Sequence, residues 1–169
     1  MKIRVLTLVI GACAVSACTE EPSVLERAQN DSVVMVTHDD PHMTAAFAKA
    51  RSTLDGFLAI ATDPDRSGDD FALKVGIKDG EDTEYFWITP FSVEGEAFSG
   101  RVSNTPQLVS TVKEGETIRF KRADIVDWTY RDVAAGKTRG NFTACAILKN
   151  EKAEDAALVQ KEYGLDCES

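Results

Sequence analysis

The chain has 169 residues and carries 28 acidic against 19 basic side chains, which gives a formal net charge of −9 at neutral pH. This balance argues against nucleic-acid binding, because a protein that binds nucleic acid needs a basic surface to neutralise phosphates. The length supports one hydrophobic core and is too short for two comfortable domains.

The first seventeen residues have the layout of a secretory signal. Lys2 and Arg4 form a short positive region, the stretch 5–15 is almost wholly apolar, and small residues precede Cys18. The pattern resembles bacterial lipoprotein signals, in which the cysteine is lipidated and the chain is cut before it. Counted from Ile3, the apolar stretch of about 13 residues is shorter than the roughly 20 that a membrane-spanning helix needs. We therefore expect a signal peptide over 1–17 and an acyl anchor such as palmitate on Cys18.

The residues that follow the signal predict where the protein is held. Thr19 rather than aspartate follows Cys18, and by resemblance to lipoprotein sorting this favours the outer membrane, with the protein facing the periplasm. Residues 18–31 are polar and predict a flexible tether. The chain from Cys18 onward has a net charge of −11, since residues 1–17 contain two basic and no acidic side chains. Two alternatives stay open: lipidation at Cys13, and an ordinary secreted protein that keeps a cysteine near its cut site.

A β-branched run over 32–37 predicts a short strand, and a long helix follows it. Asp40 suits the N-cap and Pro41 the first helical position. Apolar residues then recur at spacings of three and four, which predicts an amphipathic helix as far as Ala61, with a weak point at Gly56. The predicted buried positions are Met43, Ala46, Phe47, Ala50, Leu54, Leu58 and Ala61.

From residue 71 the apolar period changes to two, which is typical of strands. The predicted strands are 71–77, 84–89, 98–102, 117–120, 125–130 and 138–148, mostly joined by short connections. A helix over 151–163 is predicted to end at Gly164 and to bury Leu158 and Tyr163. Strands in close succession favour an antiparallel meander over βαβ units. We predict a single α+β domain over 32–169: an antiparallel sheet of five to six strands, strongly curled or barrel-like, with the long N-terminal helix packed on it and a C-terminal helix.

Two cysteines remain after the signal and the lipidation site are set aside. Cys145 and Cys167 are predicted to form a disulfide, because the envelope oxidises thiols. The bond would attach the C-terminal helix to the segment that carries Cys145. Two free thiols are the alternative, since proximity cannot be deduced from sequence.

Segments across the middle of the chain resemble those of a known family. They are the helix from Met43 to Leu58, then Phe71 to Ile77, Glu84-Tyr85-Phe86-Trp87, Phe98-Ser99-Gly100, Gly115, Ile125 to Tyr130, and Gly136-Lys137 through Gly140-Asn141-Phe142-Thr143. In combination they are similar to the YegJ-like family of small bacterial proteins, over residues 39–148. The resemblance supports the domain limits. It implies no catalytic residues and no mechanism.

Few residues suggest chemistry. His38 and His42 flank two aspartates, but Pro41 starts the helix between them, so they are not helical i and i+4 ligands and supply too few ligands for zinc. No nucleophile elbow or phosphate loop occurs. We therefore predict no metal, no cofactor and no catalytic residue. Asp127 is expected to hold a nearby Lys or Arg.

Aromatic pairs offer the best candidate for ligand binding. Tyr85 and Trp87 are two residues apart on one strand, and so are Trp128 and Tyr130, so each pair shares a strand face. They could form a recognition ledge for a sugar, a peptide or an aromatic ligand. The alternative is a core layer beneath the long helix.

Three functional hypotheses follow. The first is a non-enzymatic accessory or binding module of the envelope, held to the membrane through the lipid on Cys18. The second is an inhibitor or immunity protein against a cationic enzyme, such as a lysozyme or a toxin, because the negative charge would accelerate association with a basic protein partner. The third is a hydrolase that uses His38 or His42 with a nearby acid.

Overall fold

The structure is a computed structural model that describes residues 40–65 and 68–168. The predicted signal peptide, the lipidation site Cys18, the tether, the strand over 32–37 and His38 lie outside the described residues. Three helices and six strands follow in the order α1 (Pro41–Ala61), β1 (Asp69–Asp79), β2 (Asp82–Glu94), β3 (Ala97–Val102), β4 (Thr117–Lys121), β5 (Ile125–Asp132), β6 (Lys137–Gly140), α2 (Phe142–Leu148) and α3 (Ala153–Tyr163). None of the helices in this part of the chain has the length and apolar character needed to cross a membrane.

Helix α1 begins and ends where the sequence predicts. The carboxylate of Asp40 accepts the backbone N–H groups of His42 at 2.7 Å and Met43 at 3.2 Å, which caps the helix N-terminus. Its fully buried stripe is made by Ala46, Ala50, Leu54 and Phe57. Phe57 is fully buried in place of the predicted Leu58. Leu58 is only half-buried, and the same is true of the predicted Met43, Phe47 and Ala61.

The six strands form one antiparallel sheet in the order β4-β3-β2-β1-β5-β6. Strand β1 lies inside the sheet, with Leu73 opposite Ile88 of β2 and Trp128 of β5. Strands β4 and β6 are the two ends of this order and do not pair with each other, so the sheet is not closed and the barrel-like form of the prediction is wrong. The α+β class and the antiparallel sheet are confirmed.

One hydrophobic core joins α1 to the sheet. Its buried members are Ala50, Leu54, Phe57, Leu73, Val75, Phe86, Ile88, Phe98, Val102, Val109, Phe120, Ile125 and Trp128. Val109 comes from the loop 103–116, which polar side chains hold in place. The buried carboxylate of Glu84 accepts the backbone N–H groups of residues 107, 108 and 109 at 2.9 to 3.2 Å. Asp79 accepts both the N–H and the hydroxyl of Ser110 at 2.8 Å, and these bonds lower the pKa of Asp79.

The predicted strand over 138–148 is wrong beyond residue 140. Strand β6 ends at Gly140, where φ is +75° and a Cβ would collide with the carbonyl oxygen of Trp128. Asn141 follows in the left-handed region, and the apolar run after it forms helix α2. A short apolar run fits a buried strand or a buried helix equally well, so its periodicity could not separate the two.

The C-terminal helix α3 is confirmed, and Gly164 ends it with a φ of +62°. Its buried residues are Ala156 and Val159, whereas Leu158 is 56% and Tyr163 39% exposed, so the two predicted buried positions are wrong. After the helix, the chain lies along β6. The Thr138 N–H donates to the Gly164 carbonyl at 2.7 Å, and the Thr138 carbonyl accepts the N–H of Asp166 at 3.1 Å.

A disulfide joins Cys145 of α2 to Cys167, across a sequence separation of 22 residues. A bond that closes a loop of this length stabilises a fold by about 3 kcal/mol, because it removes entropy from the unfolded chain. It holds α2 against the segment that follows α3, where Leu148, Ala156 and Val159 form a second, smaller core.

Candidate functional site: an aromatic groove beside helix α1

Four aromatic rings gather where α1 meets β5 and the start of α2. Trp128 stacks on Phe57 of α1, with ring centroids 5.0 Å apart, and Phe142 meets Trp128 edge-on at 5.3 Å. Tyr130 lies 6.2 Å from Trp128. The indole N–H of Trp128 donates to the backbone carbonyl of Ala50 at 3.1 Å, which fixes the ring against the helix. Aromatic pairs at these separations are attractive beyond the area that they bury.

A groove of about 330 Å³ opens beside these rings. Its lining residues come from α1, β5, β6 and the start of α2, and they are Lys49, Thr53, Gly56, Phe57, Ile60, Trp128, Tyr130, Arg139, Gly140 and Phe142. The volume is at the lower end of the range for small-molecule sites. Predominantly apolar walls with a few polar groups at the edge are typical of such sites.

Gly56 lies in the middle of α1, on the wall of the groove. A glycine inside a helix costs about 1 kcal/mol relative to alanine. No neighbour requires it here, since a Cβ at this position would meet no atom within 4 Å. The missing side chain leaves the groove open along this wall.

The charged residues that line the groove are both cationic. Arg139 donates from Nε to Asp132 at 3.3 Å and from Nη1 to Asp166. Its guanidinium is therefore held in a fixed orientation. Lys49 is exposed on α1 and forms no ion pair with any of the residues that the structure describes.

A second polar cluster surrounds the buried carboxylate of Asp127. It accepts the backbone N–H groups of Trp128 at 2.8 Å, Phe142 at 3.3 Å and Thr143 at 2.8 Å, and the Thr143 hydroxyl at 2.7 Å. Burial raises the pKa of Asp127, and the charge of Lys74 and these hydrogen bonds oppose part of the rise. Asp127 of β5 thus caps the N-terminus of α2, although it does not belong to that helix.

Thr143 connects Asp127 to Lys74. Its hydroxyl donates to Asp127 and accepts from the Lys74 ammonium at 3.0 Å, and that ammonium also lies 5.0 Å from the centre of the Trp87 ring. A hydroxyl between an amine and a carboxylate is an arrangement that can activate a nucleophile. Thr143 is only 3% exposed, however, so a substrate does not reach its oxygen. The cluster stabilises the junction of the sheet with α2.

The structure separates the two predicted aromatic pairs. Lys74 of β1 pairs in register with Trp87 on one side and with Asp127 on the other, so Trp87 lies on the Asp127 face of the sheet. Trp128, the next residue, lies on the opposite face. Tyr85 is half-buried, 5.7 Å from the ring of Phe47. Of the four predicted aromatic residues, only Trp128 and Tyr130 line the groove. Trp128 also belongs to the hydrophobic core, as the alternative interpretation of a core layer expects.

Besides Gly56, sequence reasoning missed seven contributors to the groove: Lys49, Thr53, Phe57, Ile60, Arg139, Gly140 and Phe142. A helical glycine was the one available signal, because Gly56 interrupts an otherwise regular amphipathic pattern. His42 lies at the exposed start of α1, where its backbone N–H donates to Asp40. Within residues 40–65 and 68–168, no three His, Cys, Asp or Glu side chains are grouped closely enough to hold a metal ion.

Comparisons with known proteins place the domain among bacterial sequences. The family model described as "Uncharacterized protein conserved in bacteria (DUF2314)" matches residues 40–167. The chain is 32% identical to the uncharacterized protein YegJ of Escherichia coli over 127 residues, which cover 75% of this chain and 80% of that protein. It is also 29% identical, over 89 residues, to a putative ankyrin repeat protein of Neisseria meningitidis serogroup B, covering 53% of this chain and 34% of that protein. No solved structure matches.

Proposed function

Since the chain belongs to the DUF2314 family of uncharacterized bacterial proteins, its function has to be argued from its own residues, and we propose that it is a lipid-anchored, non-enzymatic binding module of the bacterial envelope. The groove at Gly56 carries the binding part of this proposal. The sequence pattern before Cys18 carries the anchor.

The groove supports binding for three reasons. Part of its wall is aromatic, and the half-buried rings of Tyr130 and Phe142 offer apolar contact area to a ligand. The indole N–H of Trp128 is already bonded to Ala50, so this residue offers a ligand apolar contact only. Gly56 keeps one wall open at a cost to the helix that no contact in the structure compensates.

Reaction chemistry has weaker support. The hydroxyl with suitable neighbours, that of Thr143 at the start of α2, is buried. The groove itself is lined by aromatic, aliphatic and cationic side chains and by Thr53, whose hydroxyl donates to the backbone carbonyls of Lys49 and Ala50. No lining residue is a carboxylate, a thiol or a histidine that could transfer a proton or attack a substrate.

If the groove binds a ligand, a side chain that fills the groove should weaken that binding. Naphthalene-2-carboxamide, an uncharged flat probe, should shift the indole resonance of Trp128 in ¹H–¹⁵N spectra of the full-length protein in lipid nanodiscs. The indole of Trp87, on the other face of the sheet, serves as the internal reference. Gly56→Leu should weaken this binding by about tenfold, because the new side chain occupies the groove.

Ala59→Leu is the matched control, since it adds the same side chain to an exposed position of α1 outside the groove. It should leave the affinity for the probe unchanged. Equal effects of the two leucine variants, or no shift of the Trp128 resonance at any probe concentration, would remove the groove from the proposal.

If the lipid is attached to Cys18, replacing the sulfur of this residue should remove the anchor. Cys18→Ser should abolish incorporation of labelled palmitate and leave the signal uncut, because the lipid is attached through the thiol. Intact mass and membrane fractionation measure both changes. Cys13→Ser, at the rival site, should behave as the wild type. Loss of the label from the Cys13 variant instead would place the anchor there.

A further inference from the structure

The groove differs in charge from the rest of the chain. Acidic residues outnumber basic ones by 28 to 19 over the whole sequence, yet the charged residues that line the groove are Lys49 and Arg139. Both are cationic, and no lining residue is acidic. An apolar groove with a cationic edge is complementary to a molecule that has an apolar body and a negative end.

The two cations contribute in different ways. Asp132 and Asp166 neutralise much of the charge of Arg139, since both carboxylates bond to its guanidinium. They also fix the plane of the group, and its other N–H donors remain for a ligand, because a guanidinium has five in all. Lys49 is exposed and has no ion-pair partner among the described residues. Lys49 therefore provides most of the electrostatic attraction, and Arg139 provides oriented donors.

The size of the groove limits the ligand. About 330 Å³ is close to the smallest volume of known small-molecule sites. A volume of this size fits a body of one or two rings. Phe57 and Trp128 are buried and stack on each other, so the half-buried rings of Tyr130 and Phe142 supply most of the aromatic surface that a ligand can contact.

We propose that the groove binds a small organic monoanion, with an apolar body against the aromatic wall that includes Trp128, Tyr130 and Phe142 and a carboxylate at the edge lined by Lys49 and Arg139. This inference rests on the proposed function, because it names the ligand class of the same groove. A cationic ligand would face two like charges, and an uncharged one would leave Lys49 without a role in recognition. Charge-assisted hydrogen bonds from an ammonium and a guanidinium to a carboxylate are about twice as strong as neutral ones.

The test compares two probes that differ only at their polar end. Naphthalene-2-carboxylate should bind about fivefold more tightly than naphthalene-2-carboxamide, a modest ratio because Lys49 is exposed to solvent. Both affinities are measured by the shift of the Trp128 indole resonance in full-length protein in nanodiscs, at low ionic strength. Empty nanodiscs give the background partition of each probe.

Two variants assign the preference to the groove. Lys49→Gln should reduce the affinity for the carboxylate to near that for the carboxamide and leave the carboxamide unchanged. Lys78→Gln removes an exposed cation of β1 that does not line the groove, and it should change neither. Equal binding of the two probes to the wild type would overturn the anion proposal while leaving the groove as a binding site. Binding of neither probe would overturn both proposals.

Discussion

Asp127→Ala is expected to lower the free energy of unfolding by about 3 to 4 kcal/mol. The substitution leaves the N–H groups of Phe142 and Thr143 without their acceptor and removes the negative charge beside Lys74. A buried group that loses its partner keeps the full cost of its own desolvation. Urea unfolding followed by circular dichroism measures the loss. Glu96→Ala, which removes an exposed carboxylate from the turn between β2 and β3, should change stability by less than about 0.5 kcal/mol.

Asp127→Asn separates the charge from the shape of this group. Burial raises the pKa of Asp127, so the folded protein holds this proton more tightly than the unfolded chain does. Its contribution to stability is therefore complete below the ordinary carboxyl pKa and falls as the pH rises through the raised pKa. The stability of the wild type relative to Asp127→Asn should decrease over that pH range. An increase over the same range would mean that attraction to Lys74 outweighs burial.

Glu84→Ala is expected to destabilise the protein by about 3 kcal/mol and to release the loop 103–116. Three consecutive backbone N–H groups, of residues 107 to 109, share the Glu84 carboxylate, which is only 2% exposed. Without it, these groups need water, and Val109 leaves the core. Amide hydrogen exchange at Leu108 and Val109 should accelerate far more than exchange in β5.

Glu81→Ala provides the control for this variant. It removes the same functional group three residues earlier, from an exposed position in the turn between β1 and β2. Its unfolding free energy and the exchange at Leu108 and Val109 should match those of the wild type. If exchange in the loop remained slow in Glu84→Ala, Asp79 and the burial of Val109 would be sufficient to hold it.

Local signals predicted much of the fold. Asp40 and Pro41 placed the start of α1, Gly164 placed the end of α3, and alternation placed the hairpin of β1 and β2. Each of these signals acts within a few residues, so a sequence displays them directly. The disulfide between Cys145 and Cys167 was predicted from the oxidising compartment and from the number of cysteines that remain, and it forms in the structure.

Features that depend on residues far apart in the chain could not be predicted from the sequence. Helix α2 depends on the carboxylate of Asp127, which lies on a different strand and accepts the first N–H groups of the helix. The register of β1 with β5 places Trp87 and Trp128 on opposite faces, and no local pattern specifies that register. The groove is lined by both Lys49 and Arg139, which are 90 positions apart in the chain. Such neighbours become visible only after the sheet is assembled.

The position of β1 affects how a newly made chain reaches this fold. Strands β1 to β4 are neighbours both in sequence and in the sheet, so they can pair as they emerge, whereas β5 returns to the free side of β1. Until residues 125–132 have emerged as well, that side of β1 presents unpaired backbone groups beside the apolar side chains of Leu73 and Val75. Exposed edges of this kind join those of other chains. A chain that is still emerging is therefore most prone to aggregate during the interval between the two strands, and a chaperone that covers β1 would be most effective then.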